Sequence, residues 1–427
     1  MSIKYFQLKN QESKYSRTID PSWDFRGANT KEFTHSYHMY PAVMIPQVAR
    51  KLLKEYRPEG KFDLVFDPYM GSGTTLVEAS IIGVNAIGTD LNPLARLISK
   101  SKTTYYNIEN IKKDFSILQN SIHSYHKEVK VTRDTSNITK IDYWYSPEVV
   151  HKLSYLSEVI DNNISSANKS FFLIALSEII RECSFTRNGE FKRYKMNDSQ
   201  LLKFNPKPFE LFHKKIVRNI QGLRSFIEKT HGKKSIIKID SFNTVEGIPD
   251  YIQNSSIDMI VTSPPYGDSK TTVAYGQYSR WASEWFNFEN AKKIDHILMG
   301  GRKLPELSFQ TNSISDELQK INTLDPKRYY EVCYFLEEYY KSICNISIKV
   351  RDGGIVCFVV GNRRVKGVQI SLDKFTAEMF ELNGFSHVKT IVRDIPNKRM
   401  PSKTSPSNKK GAGVKTMSNE YIVICQK

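Results

Sequence analysis

Short apolar runs ending in small or acidic residues recur along the chain at Phe62–Phe66, Ala86–Gly88, Ile236–Ile239, Ile257–Val261, Ile355–Val360, Val388–Val392 and Tyr421–Cys425. Their length and bounding residues predict strands. Helical spacing lies between several of them, as in Thr74–Ile82 closed by Gly83 and Phe375–Leu382 closed by Gly384. Strand and helix in turn predict a mostly parallel α/β sheet. The last two runs are joined without a helix, which predicts an antiparallel edge strand.

That rhythm breaks twice. From Lys102 to Lys234 the pattern is helical: Ser146-Pro147-Glu148 is a cap and proline start, followed by Val149, Leu153, Leu156 and Ile160 at helical spacing. We expect an inserted helical subdomain there. A second insert, roughly Asp268–Asn322, is aromatic and polar with little clear period, and its length predicts a functional loop. The chain therefore divides into residues 1–101, the helical insert 102–234, and 235–427 as the remainder of the first unit, with the loop insert at about 268–322.

Composition changes this picture only in one respect. The chain has 427 residues, and its 40% hydrophobic, 12% aromatic and 25% charged content is that of a packed globular protein. Its 62 Lys and Arg against 45 Asp and Glu give +17, however, which favours a polyanionic partner. The opening Met1–Arg17 has no apolar core and no run reaches a membrane span, so nucleic acid is the preferred polyanion and no membrane is expected. Five scattered cysteines without a CxxC pair suggest neither disulfides nor a metal site, and fit a reducing cytoplasm.

Candidate chemistry begins at Asp67-Pro68-Tyr69-Met70-Gly71-Ser72-Gly73-Thr74-Thr75, between the first strand and the first helix. Its glycines let backbone approach a ligand, and the new helix offers free N–H groups. A bare GxG is equally a structural turn, but the second strand ends in Gly88-Thr89-Asp90-Leu91-Asn92-Pro93, an acid placed where a ribose diol finds its acceptor. Asp67 ahead of the loop repels phosphate and suits an ammonium. An amino acid ammonium joined to a nucleoside without phosphates describes S-adenosylmethionine.

The fourth strand ends in Val261-Thr262-Ser263-Pro264-Pro265-Tyr266-Gly267. A Pro-Pro-Tyr alone is more often a turn. After a strand, and downstream of the glycine loop, it resembles motif IV of the amino-group DNA methyltransferases, [DNS]PP[YFW], just as Asp67–Thr75 resembles their motif I, DPxxGSGTT. His35–Ala42 resembles motif X, with Val43 where the family commonly has lysine, and Asp240-Ser241 resembles the acidic motif III.

The resemblance implies a Rossmann-like class I methyltransferase sheet. It places Tyr40, Pro41, Asp67, Pro68, Gly71, Gly73, Thr74, Asp90, Asn92 and Asp240 at S-adenosylmethionine, and Ser263, Pro264, Pro265 and Tyr266 at the target base. Serine at the first position of motif IV is similar to the cytosine-N4 branch; adenine-N6 methylation and methylation of a guanine amine in RNA stay open. Cytosine C5 chemistry needs a thiolate beside the cofactor, and no cysteine is suitably placed. A non-catalytic nucleic-acid binder is the alternative of a different class. Expected partners are double-stranded DNA and, through the resemblance, a cognate restriction endonuclease.

Basic residues among aromatics mark expected phosphate contacts: Arg187, Lys192 and Arg193 in the helical insert, Arg363 and Arg364 after the fifth strand, and Lys398, Arg399, Lys409 and Lys410 between the last two strands.

Overall fold

The computed structural model describes residues 15–187, 191–231, 233–268, 274–395, 403–404, 414–415 and 417–427. Eight strands build one sheet: β1 Arg17–Ile19, β2 Leu64–Asp67, β3 Asn85–Thr89, β4 Ile237–Asp240, β5 Ile257–Thr262, β6 Val350–Val360, β7 Ser386–Asp394 and β8 Asn419–Gln426. Their order is β1-β7-β8-β6-β5-β2-β3-β4, and β8 runs antiparallel to both of its neighbours. All seven expected strands are present; β1 is an addition whose three residues are exposed and gave no apolar signal.

The antiparallel strand is not at the edge, as its direct connection from β7 suggested. It lies between β6 and β7, and β1 extends the sheet beyond β7. Burial explains this, since Ile422, Val423, Ile424 and Cys425 are all covered and alternate between two cores. The same alternation runs through the parallel strands. Val65, Met259, Val261, Cys357 and Val359 face a core under the helices Pro46–Glu55 and Thr74–Ile82. Phe66, Ile260, Val356 and Phe358 face one under the helices Pro326–Ser347 and Leu372–Glu381. Strands covered on both faces read as continuous apolar runs, which is why they were visible in the sequence.

From β2 the chain builds outward through β3 to β4, then returns to place β5 on the other side of β2. The carboxyl ends of β2 and β5 therefore form a topological switch point, the place where such sheets open a crevice for ligands.

Residues 108–230 are helical as expected, with Ser146 capping the helix Pro147–Asn163. The third core lies here, around Tyr145, Leu153, Phe171, Phe172, Ile179 and Phe212. It also contains Trp281, Ala282 and Trp285, which belong to the second insert. That insert is no plain loop: it holds the helix Tyr275–Trp285, whose period the dense aromatics obscured, and the start of the helix Ser315–Leu324. The two inserts share one core.

Candidate active site at the switch point

β2 delivers Asp67 to the crevice and the chain turns sharply into the helix Thr74–Ile82. Gly71 and Gly73 take φ of +49° and +74°, and a Cβ on Gly73 would lie 2.7 Å from Ser99 Oγ. Only glycine fits such a turn. Its carbonyls are held from behind: Ser99 Oγ donates to Gly71 O at 2.9 Å, and the buried Lys102 Nζ to Ser72 O at 2.8 Å. From the side, Asp90 accepts the Gly71 N–H at 3.0 Å through Oδ2 and the Asn92 N–H at 2.7 Å through Oδ1. Asp67 Oδ1 accepts from Thr262 Oγ1 at 2.6 Å, so β2 and β5 are tied where they diverge.

A cavity of about 980 Å³, open mouth included, lies over this turn. Two carboxyls meet it. Burial raises Asp67 to about 7 and Asp90 to about 6, since a charge withdrawn from water is disfavoured unless a cation compensates. Thr74 Oγ1 is buried with no hydrogen-bond partner among the described residues, another polar group awaiting one. Apolar wall comes from Met44, Phe242 and Met299. Tyr40 stacks on Tyr275 with ring centroids 5.9 Å apart, and its hydroxyl accepts from Asn92 Nδ2 at 3.0 Å.

Of the residues expected at the cofactor, Tyr40, Asp67, Pro68, Gly71, Thr74, Asp90 and Asn92 line the cavity, while Pro41, Gly73 and Asp240 do not. Asp240 Oδ1 accepts from Ser241 N at 2.9 Å, and the wall at that end is formed by Phe242, Asn243 and Thr244. Tyr275, Leu298 and Met299 of the second insert were also missed, because no local motif marks a residue that reaches a site only through its helix.

Ser263 and Pro265 line the same cavity, while Pro264 and Tyr266 are not among its lining residues. Ser263 Oγ lies 3.1 Å from the Tyr266 hydroxyl, which donates to Glu420 Oε1 at 3.2 Å. Gly361 makes room for this tyrosine: a Cβ there would sit 2.6 Å from Tyr266 Cδ2.

The basic candidates separate. Arg363 is no open phosphate contact: its side chain is 12% exposed and paired with Asp268 at 2.9 Å, packed over Gly267 where a Cβ would lie 2.4 Å away. Arg193 is likewise committed, its guanidinium 4.6 Å from the ring centre of Trp281 and held half-buried between the two inserts. Arg187 and Arg364 are exposed and Lys192 half-buried. Lys398, Arg399, Lys409 and Lys410 lie outside the described residues, between the short paired segments Lys403–Thr404 and Val414–Lys415 and beyond.

Residues 1–101 match the N6_N4_Mtase family model, described as DNA methylase. Over 99% of the chain there is 35% identity to the type II methyltransferase M.MvaI of Kocuria varians, covering 98% of that protein. The chain belongs to the amino-group DNA methyltransferase family. A more distant relative of this methyltransferase is the type II methyltransferase M.MjaII of Methanocaldococcus jannaschii, 23% identical over 92% of the chain and 84% of the relative. A third is the type II methyltransferase M.BsoBI of Geobacillus stearothermophilus, at 21% identity over 60% of the chain and 55% of the relative. Among the described residues of the methyltransferase, no helix is long and apolar enough to cross a membrane.

Proposed function

We propose that this methyltransferase moves a methyl group from S-adenosylmethionine to the exocyclic amine of a base swung out of double-stranded DNA, at cytosine N4 rather than adenine N6, as the protecting partner of a restriction endonuclease. The observation that carries the reading is that one cavity joins two buried acids with raised pKa values, Asp67 and Asp90, to Ser263.

The cavity's donor set fits the cofactor. An ammonium or a ribose diol suits the acids, the partnerless Thr74 Oγ1 meets a polar group, and Phe242 and Met299 offer apolar wall to a purine. When bound, S-adenosylmethionine supplies a methyl group made electrophilic by a sulfonium. What the chain must do is prepare the amine, whose lone pair is conjugated with the base ring. The Ser263 hydroxyl and the Pro264 carbonyl are the acceptors for its N–H groups and draw the nitrogen toward tetrahedral geometry. Two prolines fix that backbone beforehand, so little reorganisation remains at the moment of transfer. Tyr266 offers its ring for stacking on the displaced base.

The preference for cytosine N4 rests on serine at position 263, similar to the N4 branch of the family. Reaction of a duplex library with labelled cofactor, followed by nucleoside mass spectrometry, tests it: N4-methylcytosine is expected. N6-methyladenine alone would replace the base assignment, and cofactor binding without any methylated nucleoside would favour a binding protein.

A further inference from the structure

The direction of the hydrogen bonds at the catalytic turn is fixed from outside it. Because β8 runs antiparallel, its first residues lie at the edge where the parallel strands end, and Glu420 arrives beside the Ser263–Tyr266 turn. In register it faces Arg393 of β7, whose Nη1 donates to Glu420 Oε2. Arg393 is 3% exposed and donates also to Trp23 O at 2.7 Å and Asp24 O at 3.3 Å, so its place is set by three partners. The guanidinium takes one oxygen of Glu420 and the phenol faces the other, and a carboxylate only accepts.

The consequence passes along the chain of contacts. Tyr266 must spend its single proton on Glu420, 3.2 Å away. Burial and the neighbouring Glu420 push the phenol well above its ordinary value, so it stays an O–H donor. The 3.1 Å contact with Ser263 can then run only with Ser263 donating. Having spent its own proton, Ser263 shows the cavity lone pairs alone. Reversed, the serine would aim its O–H at the nitrogen lone pair needed for transfer.

We infer that Glu420, acting through Tyr266, is a positioning residue that sets the Ser263 hydroxyl as an acceptor for the amine to be methylated. This rests on the reading of Ser263 given above.

A double-mutant cycle on the full chain tests it, with kcat, KM for DNA, cofactor affinity and melting temperature measured for each variant. E420Q keeps the shape and a carbonyl for Arg393, but its amide can donate and the chain of bonds loses its single direction. Y266F removes the link. Each single change is expected to lower kcat about tenfold with KM and cofactor affinity within about twofold, and E420Q/Y266F to be no slower than Y266F, as coupled neighbours are non-additive. Losses that multiply, or a wild-type kcat in E420Q, overturn the proposal. If E420Q melts early, E420D takes its place, since it keeps the charge on Arg393 while withdrawing from Tyr266. S263A separates the two readings: wild-type kcat in S263A defeats the reading of Ser263, whereas a disabled S263A with a multiplying cycle defeats only the role of Glu420.

Discussion

Asp90 Oδ2 accepts the Gly71 N–H at 3.0 Å, so the acid that ends β3 also holds the turn that follows β2. One side chain thus holds the turn and lines the cavity. Asp90→Ala is expected to weaken S-adenosylmethionine binding by the roughly 1.5–3 kcal/mol of a charge-assisted hydrogen bond. Titration calorimetry checks this, and unchanged affinity would remove Asp90 from the site.

The raised carboxyls of Asp67, about 7, and Asp90, about 6, make both stability and binding depend on pH. Each group holds its proton more tightly folded than unfolded, so the ligand-free chain keeps that stability below the ordinary value of 3.8 and loses it as pH rises from there to about 6 for Asp90 and about 7 for Asp67. A cationic ligand prefers the carboxylates, so its affinity rises across the same window. Melting curves with and without cofactor at several pH values should diverge there, and Asp67→Asn should flatten the response. Affinity that is level between about pH 5 and about pH 7.5 would refute the coupling.

Gly73 is under two separable constraints, its φ of +74° and the Ser99 side chain 2.7 Å from a would-be Cβ. Gly73→Ala should lower both melting temperature and cofactor affinity, the backbone alone costing about 1–2 kcal/mol. Adding Ser99→Gly relieves the clash but not the dihedral, so a partial rescue is expected. Full recovery would mean that the left-handed backbone carries no strain.

These positions also mark how far the sequence was legible. Asp67, Asp90 and Ser263 could be read because each stands at or directly after the end of a strand covered on both faces, and such strands announce themselves as apolar runs. Glu420 also stands at a strand end, but in an antiparallel strand, where the start rather than the end reaches the site. Tyr275 and Met299 were invisible for another reason: Tyr275 reaches the cavity by packing against the helical core and Met299 by packing in a core on the sheet, and packing leaves no short motif. Arg193 and Arg363 looked like phosphate contacts because charge is read from sequence while its partners, Trp281 and Asp268, are not.

Trp281 is fully buried in the core of the helical subdomain although it stands in the second insert. Trp281→Ala should cost about 3–5 kcal/mol of stability. Hydrogen exchange should show lost protection in the helices Pro147–Asn163 and Lys169–Glu182, far away in sequence. Changes confined to residues 274–299 would mean that the inserts do not share one core.

The segment from Ile395 to Ser418 carries Lys398, Arg399, Lys409 and Lys410 without an acidic residue. Replacing all four with serine should weaken binding to target and non-target duplexes alike and leave cofactor affinity unchanged. Each lost phosphate contact should reduce the slope of log affinity against log salt by about 0.9. An unchanged slope would show that the segment does not touch the backbone, and a loss limited to the target would show that it reads bases.

The junction of the two inserts sets the rule for building chimaeras among relatives. Glu284 accepts both the Thr139 N–H, at 2.9 Å, and its hydroxyl, at 2.8 Å, while Trp281 and Trp285 flank Tyr145. Residues 102–234 grafted alone would meet a foreign helix at that seam, with the Thr139 N–H and hydroxyl lacking their acceptor. The transplantable module is therefore discontinuous: the helical subdomain travels with Tyr275–Trp285, a helix that follows the Ser263 turn in the chain.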